Sequence, residues 1–209
     1  MVAAREIVVY TDYKSPYAYL ANTAIFALSE ETSAALVWKP YVLDIPKFLG
    51  SARLDAAGNV LEENRNAHQW RRVRYSYMDC RRQARKQGLV IRGTQKIWDS
   101  TLAAVGMLWA QRFGDAVFRR YHGAVFDRFW RRDLDIESVP VIADVLREAG
   151  AEVSGFAESI DAGRAEIGTI VAEAEAQGVF GVPSFVVDGE LFWGREHLPD
   201  IRAMLMAST

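Results

Sequence analysis

The stretch Val8-Val-Tyr-Thr-Asp-Tyr-Lys-Ser-Pro-Tyr-Ala-Tyr-Leu-Ala21 decides how this chain begins to fold. The apolar run from Ile7 to Tyr10 predicts a short buried strand. Pro16 predicts the first turn of a helix, because the N–H that proline lacks would be unpaired there anyway. Ser15 is then the expected N-cap, with its hydroxyl at the positive end of the helix. That position suits an anion.

The pattern downstream predicts a second strand over residues 35–43, in which Pro40 indicates an edge position or a bulge. A strand, a helix and a second strand make a βαβ opening with parallel strands. From about residue 44 to residue 177 the pattern is helical, although prolines and glycines before residue 64 indicate a short helix and a surface loop.

The chain returns to a β pattern near its end. Residues 184–187 and 190–193 predict two strands, because Asp188-Gly189 between them is a strong two-residue hairpin signal. A last helix is expected over residues 196–206. The two ends can therefore form one four-stranded sheet, with the helical block inserted between them.

Composition restricts the classes of function. The 25 basic and 27 acidic residues give a net charge of −2, which suggests neither nucleic acid nor an anionic membrane as a partner. The single cysteine, Cys80, allows no internal disulfide. The three histidines, His68, His122 and His197, lack metal-binding spacing, so we expect no metal site. With no signal-peptide pattern and no membrane-length apolar run, we expect a cytoplasmic protein.

Two long segments resemble one family. Asp12-Tyr-Lys-Ser-Pro-Tyr-Ala-Tyr-Leu-Ala21 resembles the D-x-x-S-P-Y-x-Y-L-A signature of 2-hydroxychromene-2-carboxylate isomerases and kappa-class glutathione transferases. Gly178-Val-Phe-Gly-Val-Pro-Ser-Phe-Val-Val-Asp-Gly-Glu-Leu-Phe-Trp-Gly194 resembles their G-V-x-G-V-P-[ST]-F-V-V-D-G-x-x-F-W-G. The resemblance implies an α/β, DsbA-like fold, in which a thioredoxin-like four-stranded mixed sheet carries a large all-helical insertion. It implies a single domain with its core in residues 1–43 and 178–209 and the insertion in residues 44–177.

The resemblance also implies a glutathione site at the first segment. Redox relatives carry the first cysteine of C-x-x-C at position 15, but the tetrad here is Ser15-Pro-Tyr-Ala18, which cannot exchange disulfides. The implied catalytic role of Ser15 is to donate a hydrogen bond to the glutathione thiol and so lower its pKa. Val182-Pro183 resembles the family's cis-proline, whose backbone would pair with glutathione like an added strand.

Further glutathione contacts are implied elsewhere. The family has a small polar residue and an aspartate before the last helix; Glu196 can keep the acidic role, whereas Arg195 departs from the pattern. Arg72 shares a helix face with Tyr75 and Asp79, which resembles a K-x-x-Y-x-x-x-D motif whose basic residue reaches the glycine carboxylate of glutathione. Arg71 and Arg74 compete for that role. Candidates for the substrate pocket are Lys14, Tyr17 and Trp193.

The function that the resemblance implies is a glutathione-dependent cis–trans isomerase of the 2-hydroxychromene-2-carboxylate type, acting in aromatic-compound degradation. The thiolate of the glutathione cofactor would add to the ring-opening carbon of a small aromatic acid and be expelled after bond rotation. A kappa-like glutathione transferase and a non-catalytic thiol- or peptide-binding thioredoxin-fold module remain alternatives. A homodimer is expected from the family.

Overall fold

A computed structural model describes residues 5–207 of the chain. The elements in chain order are β1 (Glu6–Thr11), α1 (Pro16–Thr32), β2 (Ala35–Pro40), α2 (Ile45–Leu49), β3 (Ala52–Leu54), β4 (Val60–Glu63), α3 (Ala67–Lys86), α4 (Thr101–Gln111), α5 (Asp115–Arg131), α6 (Val139–Ala149), α7 (Ile160–Ala176), β5 (Ser184–Val187), β6 (Glu190–Trp193) and α8 (Leu198–Ala207). Two single turns of 3₁₀-helix, Ala157–Ser159 and Arg195–His197, lead into α7 and α8.

The main sheet has four strands in the order β2-β1-β5-β6, which confirms the predicted mixed sheet. Strand β1 pairs in parallel with β2 and antiparallel with β5, and β5 and β6 form an antiparallel hairpin. Asp188 and Gly189 turn this hairpin at φ values of 50° and 82°. Pro40 ends β2 at the edge of the sheet, where a missing N–H breaks no ladder.

The prediction of an all-helical insertion is wrong over residues 52–63. Strands β3 and β4 form a separate antiparallel hairpin, with Ala52 opposite Glu63. Its loop is closed by Asp55, whose Oδ1 accepts a hydrogen bond from the Asn59 N–H at 2.8 Å. The hairpin is tied to the rest of the chain by the Leu54 N–H, which donates to the Gln95 carbonyl at 2.7 Å. Strands of three and four residues are too short for a period-two pattern to be recognised.

Residues 67–176 are helical in five segments, as the helical pattern of the insertion predicts, and the last helix, α8, lies within two residues of its predicted span. Helix α3 ends at Lys86 and is followed by Gly88 at φ 69°, the left-handed conformation expected of a residue that terminates a helix. No helix in the described part of the chain is long and apolar enough to cross a lipid bilayer.

His122 lies at the centre of an aromatic cluster on α5 and is fully buried. Its Nδ1 is 3.0 Å from the Tyr13 hydroxyl, whereas its Nε2 is buried and has no hydrogen-bond partner within residues 5–207. Aromatic rings that include Phe118, Phe126 and Trp38 surround the imidazole at centroid distances of 5.0, 4.9 and 4.6 Å. Burial lowers the pKa of His122 from 6.5 to about 3.

We expect His122 to make the fold sensitive to mild acid. Because the folded pKa is depressed, the unfolded chain binds the proton first, and stability is lost as the pH falls from 6.5 towards 3. The free energy of unfolding should fall by about 2 kcal/mol between about pH 7 and about pH 5 through this group alone. Urea denaturation of the wild type and of His122→Phe at both pH values measures the slope of the free energy of unfolding against pH. His68→Gln, at an exposed position, should keep the wild-type slope, and an unchanged slope in His122→Phe would contradict this assignment.

Candidate functional site

Asp12 fixes the turn between β1 and α1. Its Oδ2 accepts a hydrogen bond from the Leu43 N–H at 2.7 Å, and its Oδ1 accepts one from the Lys14 N–H at 3.1 Å. The Asp12 carbonyl accepts a third from the Ser15 N–H at 3.0 Å. The carboxylate is 3% exposed and so holds the loop after β2 against the start of α1. We did not predict this role, although an aspartate before a turn is a known signal for side-chain-to-backbone bonding.

Ser15 is the N-cap of α1, as predicted. Its backbone is extended, and its Oγ accepts a hydrogen bond from the Ala18 N–H at 3.2 Å. The same hydroxyl donates to the Val182 carbonyl at 3.4 Å, which is long for a hydroxyl donor. Because that bond is weak, the hydroxyl proton can turn towards another acceptor at little cost.

The Val182–Pro183 segment is distant from Ser15 in the sequence but contacts it in the fold, and its peptide bond is cis. The Val182 N–H donates to no group within residues 5–207, although its carbonyl receives the Ser15 hydroxyl. The Gly194 N–H donates to the Pro183 carbonyl at 2.9 Å, which holds the turn before α8 beside this segment. The two motif segments of the sequence therefore meet, and one free backbone donor lies where they meet.

A cavity of about 730 Å³, here called the first cavity, extends from Val182 to the start of α8. Arg195 and Glu196 line it together with Val182 and Pro183, so the structure brings these four predicted residues to one space. Gly194 has a φ of 104°, and a Cβ there would lie 2.4 Å from a Glu196 carboxylate oxygen. The positive φ favours glycine at this turn, whereas the Glu196 carboxylate, at the end of a flexible side chain, could move away from a Cβ.

A second cavity, of about 280 Å³, adjoins the first at Val182, which lines both. Ser15, Lys14 and Arg72 line it, and it shares Tyr17, Val182 and Trp193 with the first cavity. The rest of its wall contains an apolar part, formed by Leu43, Ile45, Phe48, Val73, Ile97 and Trp98, and a polar part that includes Arg65, Tyr77 and Lys96.

Arg72 does not line the cavity that holds Arg195 and Glu196. The α3 side chains on the first cavity are instead Asp79 and Gln83, two and three helical turns further along. The assignment of Arg72 to the glycine carboxylate of glutathione stays a prediction. Its position beside Ser15 suits it equally to an anionic group in the second cavity.

Lys14, which precedes Ser15 and lines the same cavity, forms a buried ion pair with Asp12. Its Nζ is 3.6 Å from Asp12 Oδ2, and the two side chains are 7% and 1% exposed. A charged amine in this position can act on an anion in the second cavity, since ion interactions are weakly screened away from water.

Tyr17 and Trp193 separate the two cavities. The Tyr17 hydroxyl donates to Asp79 Oδ2 at 3.4 Å, and burial raises the pKa of Tyr17 well above its ordinary value, so the phenol is a neutral donor. Trp193 is 51% exposed and contacts Phe180 with ring centroids 4.7 Å apart. Behind Tyr17, burial raises the pKa of Cys80 to about 11, and this fully buried thiol is not a nucleophile at neutral pH.

Residues 5–207 contain no group of three or more histidine, cysteine, aspartate or glutamate side chains that could hold a metal ion.

Comparisons with known proteins agree with the architecture. A family model described as a DSBA-like thioredoxin domain matches residues 6–205. A 2-hydroxychromene-2-carboxylate isomerase from Sphingobium xenophagum is 29% identical over 94% of this chain and 96% of its own length. The isomerase of the same name from Pseudomonas putida is 26% identical over 90% of this chain and 88% of its own. A solved structure of a 2-hydroxychromene-2-carboxylate isomerase superposes with a TM-score of 0.73 at 21% identity, covering 97% of this chain and 95% of that one.

Proposed function

We propose that this chain, which belongs to the DSBA-like thioredoxin domain family, is a glutathione-dependent isomerase of the 2-hydroxychromene-2-carboxylate type. Its relatives of that name span nearly its whole length. The observation that carries the proposal is the position of Ser15 at the N-terminus of α1. Its Oγ lies 3.4 Å from the carbonyl of Val182, the residue that lines both cavities. A hydroxyl at this position supports holding another molecule's thiol, because disulfide exchange needs a cysteine there.

The residues of the first cavity fit glutathione. The free Val182 N–H and the adjoining carbonyl suit the backbone of a bound peptide, as in strand addition. Glu196 offers a carboxylate for the amine of the γ-glutamyl group, and Arg195 offers a guanidinium for its carboxylate. A volume of about 730 Å³ lies within the range of small-molecule pockets. When bound, glutathione supplies a thiolate nucleophile that the enzyme does not consume.

Ser15 and the start of α1 stabilise negative charge at the thiol sulfur. The Ser15 hydroxyl turns from the Val182 carbonyl towards the sulfur and donates to it, which favours the thiolate over the thiol. The helix dipole contributes in the same direction, since Pro16 begins a helix of 17 residues. Both effects lower the pKa of the bound thiol, and both act only if the sulfur lies at this end of the helix.

The second cavity takes the substrate. Its apolar wall suits an aromatic ring, and Lys14 and Arg72 provide positive charge for a carboxylate. The Asp12 carboxylate holds Lys14 in place, so the amine is positioned before the substrate enters. Tyr17, Val182 and Trp193 border both cavities, and the reacting carbon therefore sits beside the thiol sulfur.

Conversion of 2-hydroxychromene-2-carboxylate, followed by its ultraviolet spectrum, tests the proposal. We expect turnover only when glutathione is added, at full rate with far less glutathione than substrate, and inhibition by S-methylglutathione. Turnover of equal rate without glutathione would overturn the proposal. Stoichiometric loss of glutathione into an adduct would identify a transferase, and binding of glutathione without any turnover would identify a binding module.

A further inference from the structure

A third cavity, of about 430 Å³, adjoins the second and is strongly basic. Its wall contains five cationic side chains, and no carboxylate lines it within residues 5–207. We call these five residues the basic pocket: Arg65, Arg74, Arg81, Lys96 and Arg132.

Four of the five cations in the basic pocket form no salt bridge within residues 5–207, although Glu63 lies near enough to Arg65 to act on its charge. Lys96 pairs with Glu137, with 2.5 Å between Nζ and Oε2. The four arginines have no carboxylate oxygen within 4.0 Å in the described part of the chain. Arg132 donates through Nε to the Gly93 carbonyl at 2.6 Å, a neutral acceptor. Clustered cations without salt-bridge partners repel one another, so an anion among them would be stabilised, although solvent screens part of the attraction because Arg74, Arg81 and Arg132 are exposed.

Aromatic rings hold the arginines in place. The Arg65 and Arg74 guanidiniums lie 5.1 and 5.5 Å from the centroid of the Trp70 ring. Arg81 lies 5.7 Å from the centroid of the Tyr77 ring. The Trp70 indole N–H donates to Glu63, which fixes the ring that both arginines contact. Stacked guanidiniums lose little conformational entropy when they bind a carboxylate or a phosphate.

The basic pocket is continuous with the second cavity. Arg65, Tyr77 and Lys96 line both, whereas Ser15 lines only the second. A ligand whose ring lies in the second cavity therefore extends into the basic pocket on the side away from Ser15. Lys14 and Arg72 line the second cavity and not the basic pocket, so they are placed to hold a first acidic group on the side of Ser15.

From this arrangement we propose that the preferred substrate is a 2-hydroxychromene-2-carboxylate that carries a second acidic group, and that this second group binds in the basic pocket. This inference rests on the proposed function for the identity of the second cavity as the substrate site. Carboxylate, sulfonate and phosphate share the required chemistry, because each accepts paired N–H donors from arginine. The substrate class is thus an elongated aromatic compound acidic at both ends.

Calorimetric titration without glutathione tests for the second acidic site by comparing the affinities of two matched probes, para,para′-biphenyl dicarboxylate and biphenyl monocarboxylate. We expect the dicarboxylate to bind the wild type about tenfold more tightly or better. Arg74→Ala and Arg81→Ala should each reduce this preference several-fold. Arg71→Ala, an exposed arginine on the same helix that lines none of the three cavities, should leave it unchanged.

Equal affinity for the two probes, or a preference that survives in both variants, would overturn the proposal. Circular dichroism confirms folding of the variants, and a salt series on the wild type supplies a second readout, because the preference should shrink as ionic strength rises. The titrations need no cofactor. If glutathione supports no turnover but the dicarboxylate still binds more tightly, the proposed function is wrong and the second acidic site stands. If the two probes bind equally, the second acidic site is wrong whatever the turnover assay shows.

Discussion

Replacement of Ser15 by alanine is expected to lower kcat for the isomerisation by about a hundredfold to a thousandfold, the usual cost of removing one preorganised donor to a developing or resident anion. The Ser15 hydroxyl is 4% exposed and caps α1, so water does not readily take its place. Steady-state kinetics at saturating glutathione measures the effect.

The control for this variant is Ser15→Thr, which keeps a hydroxyl and an N-cap. Alanine also removes the bond from the Ala18 N–H, which costs about 1 kcal/mol of stability, so both variants must be shown to be folded at the assay temperature. Threonine should recover a large part of the lost kcat. A Ser15→Ala enzyme with nearly wild-type kcat would remove Ser15 from the chemistry.

Replacement of Gly106 by alanine is expected to lower the free energy of unfolding by about 2 to 4 kcal/mol. A Cβ at this position in α4 would lie 2.1 Å from the Tyr121 hydroxyl oxygen. That hydroxyl is buried and donates to the Ala103 carbonyl at 2.8 Å. Tyr121 must therefore shift and weaken the bond, and the gain of about 1 kcal/mol from better helix propensity does not compensate.

The matched control is Gly168→Ala in α7, where an added Cβ meets nothing within 4 Å. Here only helix propensity acts, and we expect stability to rise by up to about 1 kcal/mol. Urea denaturation of the two variants should give changes of opposite sign. Two changes of the same sign would show that the contact with Tyr121 does not decide the effect at Gly106.

The β5–β6 hairpin and the start of α1 were predictable because a local residue pattern marks each of them. Asp188-Gly189 defines the β5–β6 hairpin by turn chemistry, and Pro16 marks the start of α1 by its missing N–H. Strands β3 and β4 were missed because they are short and lie among glycines and exposed residues.

The candidate site was predictable only in part. Ser15 and Val182 are 167 residues apart, and no periodicity relates them; the resemblance to a known family supplied the pairing that the structure contains. Asp12 was overlooked although it lies inside the quoted motif. The basic pocket was only partly visible in the sequence: Arg74 and Arg81 both lie on α3, but only tertiary packing brings Lys96 and Arg132 to them.

The central claim is that Ser15 holds the thiolate of glutathione. The direct measurement is an ultraviolet titration of the thiol of glutathione bound to the wild type and to Ser15→Ala. A free thiol has a pKa of about 8.5, and we predict that binding to the wild type lowers it by at least about 1 unit, while Ser15→Ala returns it towards the free value. An unshifted pKa in the wild type, an equal shift in both proteins, or no binding at millimolar glutathione would contradict the claim.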